Sequence, residues 1–158
     1  MNQPDETTSA RPSRRTFCAR AVTLAICGGA MLDACGGSPT SPSNAPALPI
    51  VSGTRVSGAI TVAIDTSSPL FATGGAALVQ TSIGDFLVSR PTQSSFIALT
   101  ATCTHQACTI TGFANQDFVC PCHGSTYDTS GRVLSGPAPA PLQMYPAQFA
   151  SGILTISA

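Results

Sequence analysis

The sequence contains no lysine, and charged residues make up 9% of its 158 positions, against about a quarter in an average soluble protein. A chain with so few cations offers no patch able to neutralise several phosphates, so nucleic acid is not an expected partner. Also missing are internal repeats and any long stretch with a 3.6-residue apolar period, which argues against repeat arrays and long amphipathic helices. One extended apolar run, residues 21–32, would rise about 18 Å as a helix, too short for a hydrocarbon core of about 30 Å. What the chain has instead is 14 glycines, 13 prolines and 7 cysteines. Frequent turns and few strong helix formers favour an all-β domain, and the length suits one such domain plus extra sequence.

The extra sequence lies at the N-terminal side. The apolar run follows Arg14, Arg15 and Arg20 and reads as the hydrophobic part of an export signal rather than a spanning helix. Ser13-Arg14-Arg15-Thr16-Phe17 resembles the twin-arginine signal, a route that exports folded proteins with a cofactor already inserted. Leu32-Asp33-Ala34-Cys35 resembles a bacterial lipobox, with Asp33 in place of the usual small uncharged residue. That resemblance implies lipidation of Cys35, which would hold a domain at a membrane surface without crossing it. Residues 1–34 are assigned to the signal, residues 35–50 to a Gly/Ser/Pro/Ala tether and residues 51–158 to the folded domain. From Gly36 onward Arg55, Arg90 and Arg132 stand against Asp65, Asp85, Asp117 and Asp128, a net charge of 3 − 4 = −1. Steering towards a partner is weak unless these charges cluster.

Within the domain, residues 56–64 are rich in β-branched side chains and read as one strand, and residues 76–90 read as a hairpin around Gly84. Residues 94–103 form an expected strand entering a first cysteine pair. Residues 110–113 and 117–120 are expected to pair, and residues 125–136 to run strand, turn, strand. Residues 136–142, with prolines at alternate positions, fit neither a helix interior nor a central strand. Residues 142–157 close the chain with two short strands, giving a meander-like order. Phe71, Phe86, Phe96, Phe113, Phe118 and Phe149 are the expected bulky core residues.

Cys18, Cys27 and Cys35 fall in the signal, leaving Cys103-Thr-His105-Gln-Ala-Cys108 and Cys120-Pro-Cys122-His123-Gly-Ser. Each stretch offers two cysteines and one histidine. Structural zinc needs four such donors, but finger spacing usually puts cysteines on one knuckle and histidines on the other. Two disulfides would leave both histidines without a role. A thiol redox site lacks the Cys-x-x-Cys spacing and a thioredoxin-like βαβ surround. A two-iron, two-sulfide cluster needs two protein ligands per iron, and two loops each giving a cysteine and a histidine supply four.

The paired motifs Cys-Thr-His-x-x-Cys and Cys-Pro-Cys-His-Gly-Ser resemble the Rieske iron–sulfur family, over residues 96–146 and more loosely over the whole domain. The resemblance implies an antiparallel β-sandwich with a small cluster-binding subdomain of two loops, at about residues 98–142. It implies one [2Fe-2S] cluster, with Cys103 and Cys120 on one iron and His105 and His123 on the other. Cys108 and Cys122 would form a disulfide tying the loops, which suits an exported protein. Neutral imidazoles in place of two thiolates leave the oxidised cluster neutral, and the family spans about −150 to +300 mV. Ser125 and Tyr127 match positions where high-potential members donate hydroxyl hydrogen bonds to cluster and cysteine sulfur, so the upper part of that range is expected. The outer histidine nitrogens are expected to be exposed, and residues 136–142 match the family's proline loop. Gln106 and Ala107 depart from the family's leucine and glycine. A polar Gln106 weakens the case for a quinol site, and Ala107 asks for a different turn if the glycine had positive φ.

The function expected is a periplasmic, membrane-tethered one-electron carrier serving a redox partner protein such as a cytochrome or respiratory oxidoreductase. The alternative is the Rieske subunit of a quinol–cytochrome c reductase or the small subunit of a molybdenum oxidase. No substrate pocket or mononuclear iron domain is apparent, so no catalytic residue is assigned.

Overall fold

The computed structural model describes residues 44–158. The expected signal, its arginine pair and Cys35 lie outside them. The described residues are all-β. A central sheet has the order β1 (Ile50–Ser52), β4 (Ala76–Thr81), β5 (Gly84–Ser89), β6 (Ile97–Thr100), β11 (Met144–Tyr145). A second sheet runs β12 (Ala147–Ala150), β13 (Ile153–Ser157), β3 (Ala59–Ala63), β2 (Thr54–Val56). A third, which carries the two cysteine loops, runs β10 (Val133–Ser135), β9 (Thr126–Asp128), β8 (Asp117–Val119), β7 (Gly112–Ala114). Every pairing is antiparallel except β1 with β4.

The central sheet is buried on both faces, which explains why β4 and β5 read as continuous apolar runs rather than alternating ones. Ala77, Val79, Phe86, Val88 and Ala98 face one core with Ile60, Val62, Leu154 and Ile156 of the second sheet. Leu78, Leu87 and Leu99 face the other core with Ile110, Phe118, Tyr127 and both cysteine loops. The two-sided packing thus sets the cysteine loops on a rigid base.

Four sequence expectations need correction. Residues 56–64 are two strands rather than one, because Ser57 and Gly58 both take positive φ (49° and 88°) and make a two-residue hairpin turn. The closing segment holds three strands, since β11 joins the central sheet before Ser151 and Gly152 turn β12 into β13. Phe71 is 50% exposed. In the loop before β4 its carbonyl, not its ring, is the anchored group, accepting from the buried Arg90 guanidinium. Residues 46–50 belong to the domain rather than a tether. Leu48 is buried and donates its amide to Thr111 O at 2.7 Å, while Pro46 O accepts from Phe113 N.

Arg90 is a buried cation bonded to backbone oxygens rather than an acid. Its guanidinium donates to the carbonyls of Leu70, Phe71 and Gln93 and lies over the rings of Phe96 and Phe149. It joins the loop before β4 to the core of the second sheet.

Candidate metal centre

The two cysteine loops are built on one backbone frame. In the first, Cys103 N donates to Cys108 O at 2.8 Å and Ala107 N donates back to Cys103 O at 2.9 Å. In the second, Cys120 N donates to Ser125 O at 2.8 Å and Gly124 N to Cys120 O at 3.1 Å. The fifth residue of each loop is left-handed, Ala107 at φ 56° and Gly124 at φ 70°. Gly124 takes that conformation freely, whereas Ala107 takes it at a cost of about 1–2 kcal/mol. The departure at Ala107 therefore leaves the turn in place and strains it.

The strands hold these loops side by side. β7 and β8 pair over Gly112↔Val119 and β8 and β9 over Val119↔Thr126, so loop one, loop two and the start of the proline loop emerge at one end of the third sheet. Cys108 and Cys122 are joined by a disulfide with Cα atoms 6.5 Å apart. Their sulfurs lie within 4.8 Å of Cys120 Sγ, but as a disulfide they are not available as metal ligands. Cys103 and Cys120 remain as buried free thiols. His105 and His123 meet edge to face, ring centroids 4.7 Å apart, and both are half-buried.

This donor set fits a thiolate- and imidazole-ligated centre. Two thiols stay unpaired in contact although a disulfide has formed beside them. His105 Nδ1 is buried with no hydrogen-bond partner among the described residues, which a ligand bond would satisfy. Burial pushes both thiols up. At Cys103 hydrogen bonds from the Tyr127 hydroxyl, the His105 amide, the Cys120 thiol and the Gln106 amide together outweigh burial, and its pKa falls below the usual thiol value. Cys120 stays above it through burial and the neighbouring Cys103.

Tyr127 is fully buried. Its hydroxyl lies 3.3 Å from Cys103 Sγ, accepts from Thr104 N at 3.3 Å and lies 3.2 Å from Thr104 Oγ1. Thr104 Oγ1 donates to Ala140 O of the proline loop at 2.7 Å. Proton counting is decisive here. With the Thr104 amide and hydroxyl protons used, the Tyr127 proton has Cys103 Sγ or Thr104 Oγ1 as acceptor. Ser125 is also fully buried and accepts from Ala138 N at 3.1 Å, and its own proton has no acceptor among the described residues. Gly136 presses on Ser125, where a Cβ would come within 2.5 Å of the Ser125 Cα. Sequence reasoning gave no role to Thr104; its place between Cys103 and His105 was the only signal.

The family model for the Rieske [2Fe-2S] domain matches residues 64–146. The chain belongs to that family. The Rieske domain binds one [2Fe-2S] cluster. The crystal structure of the cyanobacterial plasma membrane Rieske protein PetC3 from Synechocystis PCC 6803 superimposes with a TM-score of 0.52 at 32% identity, over 61% of this chain and 99% of that one. The ubiquinol–cytochrome c reductase iron–sulfur subunit of Bradyrhizobium diazoefficiens is 57% identical over 51 residues, 31% of this chain and 29% of that protein. The cytochrome b6-f complex iron–sulfur subunit of Prochlorococcus marinus is 40% identical over 75 residues, 45% of this chain and 42% of that protein. The chain thus spans well under half the length of these curated relatives.

Proposed function

We propose that this Rieske protein is a one-electron carrier on the periplasmic side of a bacterial membrane, tethered through a lipid on Cys35. Cys103 and Cys120 would hold one iron, and His105 and His123 the other. When bound, the cluster supplies a one-electron redox centre whose reduced form carries one more negative charge. The chain's own residues set the surroundings of that charge. The Tyr127 hydroxyl lies 3.3 Å from the Cys103 sulfur and can donate to it, and the Ser125 hydroxyl proton beside the second loop has no acceptor among the described residues. Both donors favour the more negative state, which supports a potential in the upper part of the family's range. The disulfide between Cys108 and Cys122 keeps the two loops together.

The observation that carries this reading is the convergence of two buried unpaired thiols and two imidazoles on loops of one frame. Twin-arginine and lipobox-like motifs support the location. The test is expression of the full chain in a bacterium with twin-arginine export, followed by detergent extraction. Two irons and two sulfides per chain, a Rieske-type paramagnetic signal on reduction and a reversible one-electron couple are expected. Zinc in place of iron, or no couple, refutes the carrier. Mass spectrometry should find a lipid on Cys35, and Cys35→Ala should release the protein from the membrane.

A second reading rests on the relatives named as iron–sulfur subunits of cytochrome complexes. In it the chain serves one complex, a quinol–cytochrome c reductase. Exposed Gln106 speaks against a quinol site. Co-purification with a cytochrome b would favour this reading over the free-standing carrier.

A further inference from the structure

We propose that reduction of the Cys108–Cys122 disulfide turns the two loops into a closed thiolate site for one Zn²⁺ ion, built from Cys103, Cys108, Cys120 and Cys122. Three of the sulfurs are already gathered. Those of Cys108, Cys120 and Cys122 all lie within 4.8 Å of one another. Tetrahedral zinc holds thiolate sulfurs at about 2.3 Å, which sets them about 3.8 Å apart. Cys120 therefore closes on the other two by no more than about 1 Å. The fourth sulfur, Cys103, is in hydrogen-bond contact with Cys120, and both are buried. The amides of His105 and Gln106 point at the Cys103 sulfur, and those of Cys122 and His123 at the Cys120 sulfur. Such N–H···S bonds offset part of the negative charge that four thiolates bring to one divalent ion. Cys103-x₄-Cys108 has the spacing of a zinc knuckle. Cys120-x-Cys122 is shorter, and the pairing of β8 with β7 holds it beside the first loop. A four-cysteine site needs neither histidine, so the mixed Cys/His spacing that argues against a finger does not bear on it.

The conversion balances. A dithiol reductant passes two electrons and two protons to the disulfide and becomes a disulfide itself, leaving Cys108 and Cys122 as thiols. Zinc then displaces the four thiol protons. Reoxidation by a disulfide takes two electrons back, withdraws two of the four donors and releases the ion. It leaves Cys103 and Cys120 with His105 and His123. Because the zinc site and the cluster share Cys103 and Cys120, one chain cannot hold both. The state of the Cys108–Cys122 pair thus decides which metal chemistry the loops accept. A reducing compartment favours the zinc form, and an oxidising one removes it. This site goes beyond the carrier reading and does not depend on it.

The test uses the full chain freed of iron, with the disulfide intact or reduced by a phosphine, and Co²⁺ and Zn²⁺ as probes. The reduced chain should bind one Co²⁺, with thiolate-to-cobalt charge-transfer and tetrahedral visible bands, and one Zn²⁺ should displace it. The oxidised chain should bind Zn²⁺ at least about 100-fold more weakly. Under reduction, Cys108→Ser with Cys122→Ser should lose the tight binding, whereas His105→Ala with His123→Ala should keep it. Circular dichroism is followed throughout. Where the reduced chain loses its β signal, one Zn²⁺ should restore it. Equal zinc affinity in the two redox states overturns the proposal, since the ion then sits on Cys103, Cys120 and the histidines. So does loss of binding in the histidine variant, or zinc uptake that leaves a reduced chain without its β signal. None of these outcomes touches the iron content of the exported chain, on which the carrier reading is decided.

Discussion

Replacing Tyr127 with phenylalanine removes one hydroxyl, which accepts from Thr104 N and can donate to Cys103 Sγ. The ring is fully buried, and phenylalanine fills the same space, so the core keeps its packing. What is lost is the hydroxyl 3.3 Å from Cys103 Sγ. A hydrogen bond to a charged acceptor is worth about 1.5–3 kcal/mol and a neutral one about 0.5–1.5. Adding one negative charge therefore strengthens this bond by about 1 kcal/mol. At 59 mV per tenfold for a one-electron couple, that corresponds to about 40 mV. Since Thr104 Oγ1 competes for the same proton at 3.2 Å, 40 mV is an upper value. Film voltammetry of Tyr127→Phe should show a midpoint potential lowered by about 20–40 mV. Thr104→Val, which removes the competing oxygen, should not reproduce the drop. A Tyr127→Phe potential within about 10 mV of the parent would refute the argument, and so would an equal fall in Thr104→Val.

Ala107→Gly relieves the left-handed strain at φ 56°, and after the greater chain entropy of glycine it should stabilise the domain by about 0.5–1 kcal/mol; an unchanged or lower unfolding midpoint in denaturant contradicts this. The disulfide closes a loop of sequence separation 14, so Cys108→Ser with Cys122→Ser should cost about 3 kcal/mol, read by denaturant unfolding of the oxidised protein against the double variant. Burial raises the Asp128 carboxyl, but hydrogen bonds from Ser130 and Arg132 outweigh it and hold its pKa below the usual value. That stability is present above the ordinary carboxylate pKa of about 3.9 and is lost as pH falls through the lower folded value. Asp128→Asn should therefore flatten the acid limb of a stability-against-pH curve; an unaltered limb removes Asp128 from the account.

The family was legible because its chemistry restricts residue type. Few side chains besides Cys and His serve an iron–sulfur centre, and the two spaced motifs pointed to the family before any fold was known. The turn at Ala107 was not legible, since the sequence asked for a different turn there and the loop holds Ala107 at φ 56° instead. Roles defined across long separations were not legible. Thr104 matters because Ala140, 36 residues on, is its acceptor. Phe71 looked like core by type, but burial depends on which group Arg90 anchors, and that is its carbonyl. Residues 46–50 share the composition of a tether; pairing of Pro46 and Leu48 with the chain next to β7 makes them part of the domain.

The repeated loop frame adds a point that the motifs alone conceal. The first residues of the two loops are both cysteine, the fifth are Ala107 and Gly124, and the sixth are Cys108 and Ser125. Side chains differ at the fifth and sixth positions, yet the first-to-sixth and fifth-to-first hydrogen bonds recur. The position of the buried thiols is thus set by a backbone frame that tolerates different side chains, and the frame outweighs the preference of Ala107 for negative φ. Because the frame is closed by main-chain bonds, removing a ligand side chain should leave the loop fold largely in place. Breaking the fifth-residue turn, as Gly124→Val would at φ 70°, should displace Cys120 and His123 together. Gly124→Val should therefore abolish iron binding outright, whereas His123→Ala should lose iron while keeping the amide protection of Cys120 and Gly124 in hydrogen exchange. Equal loss of that protection in both variants would show that the side chains, not the backbone frame, hold the loop.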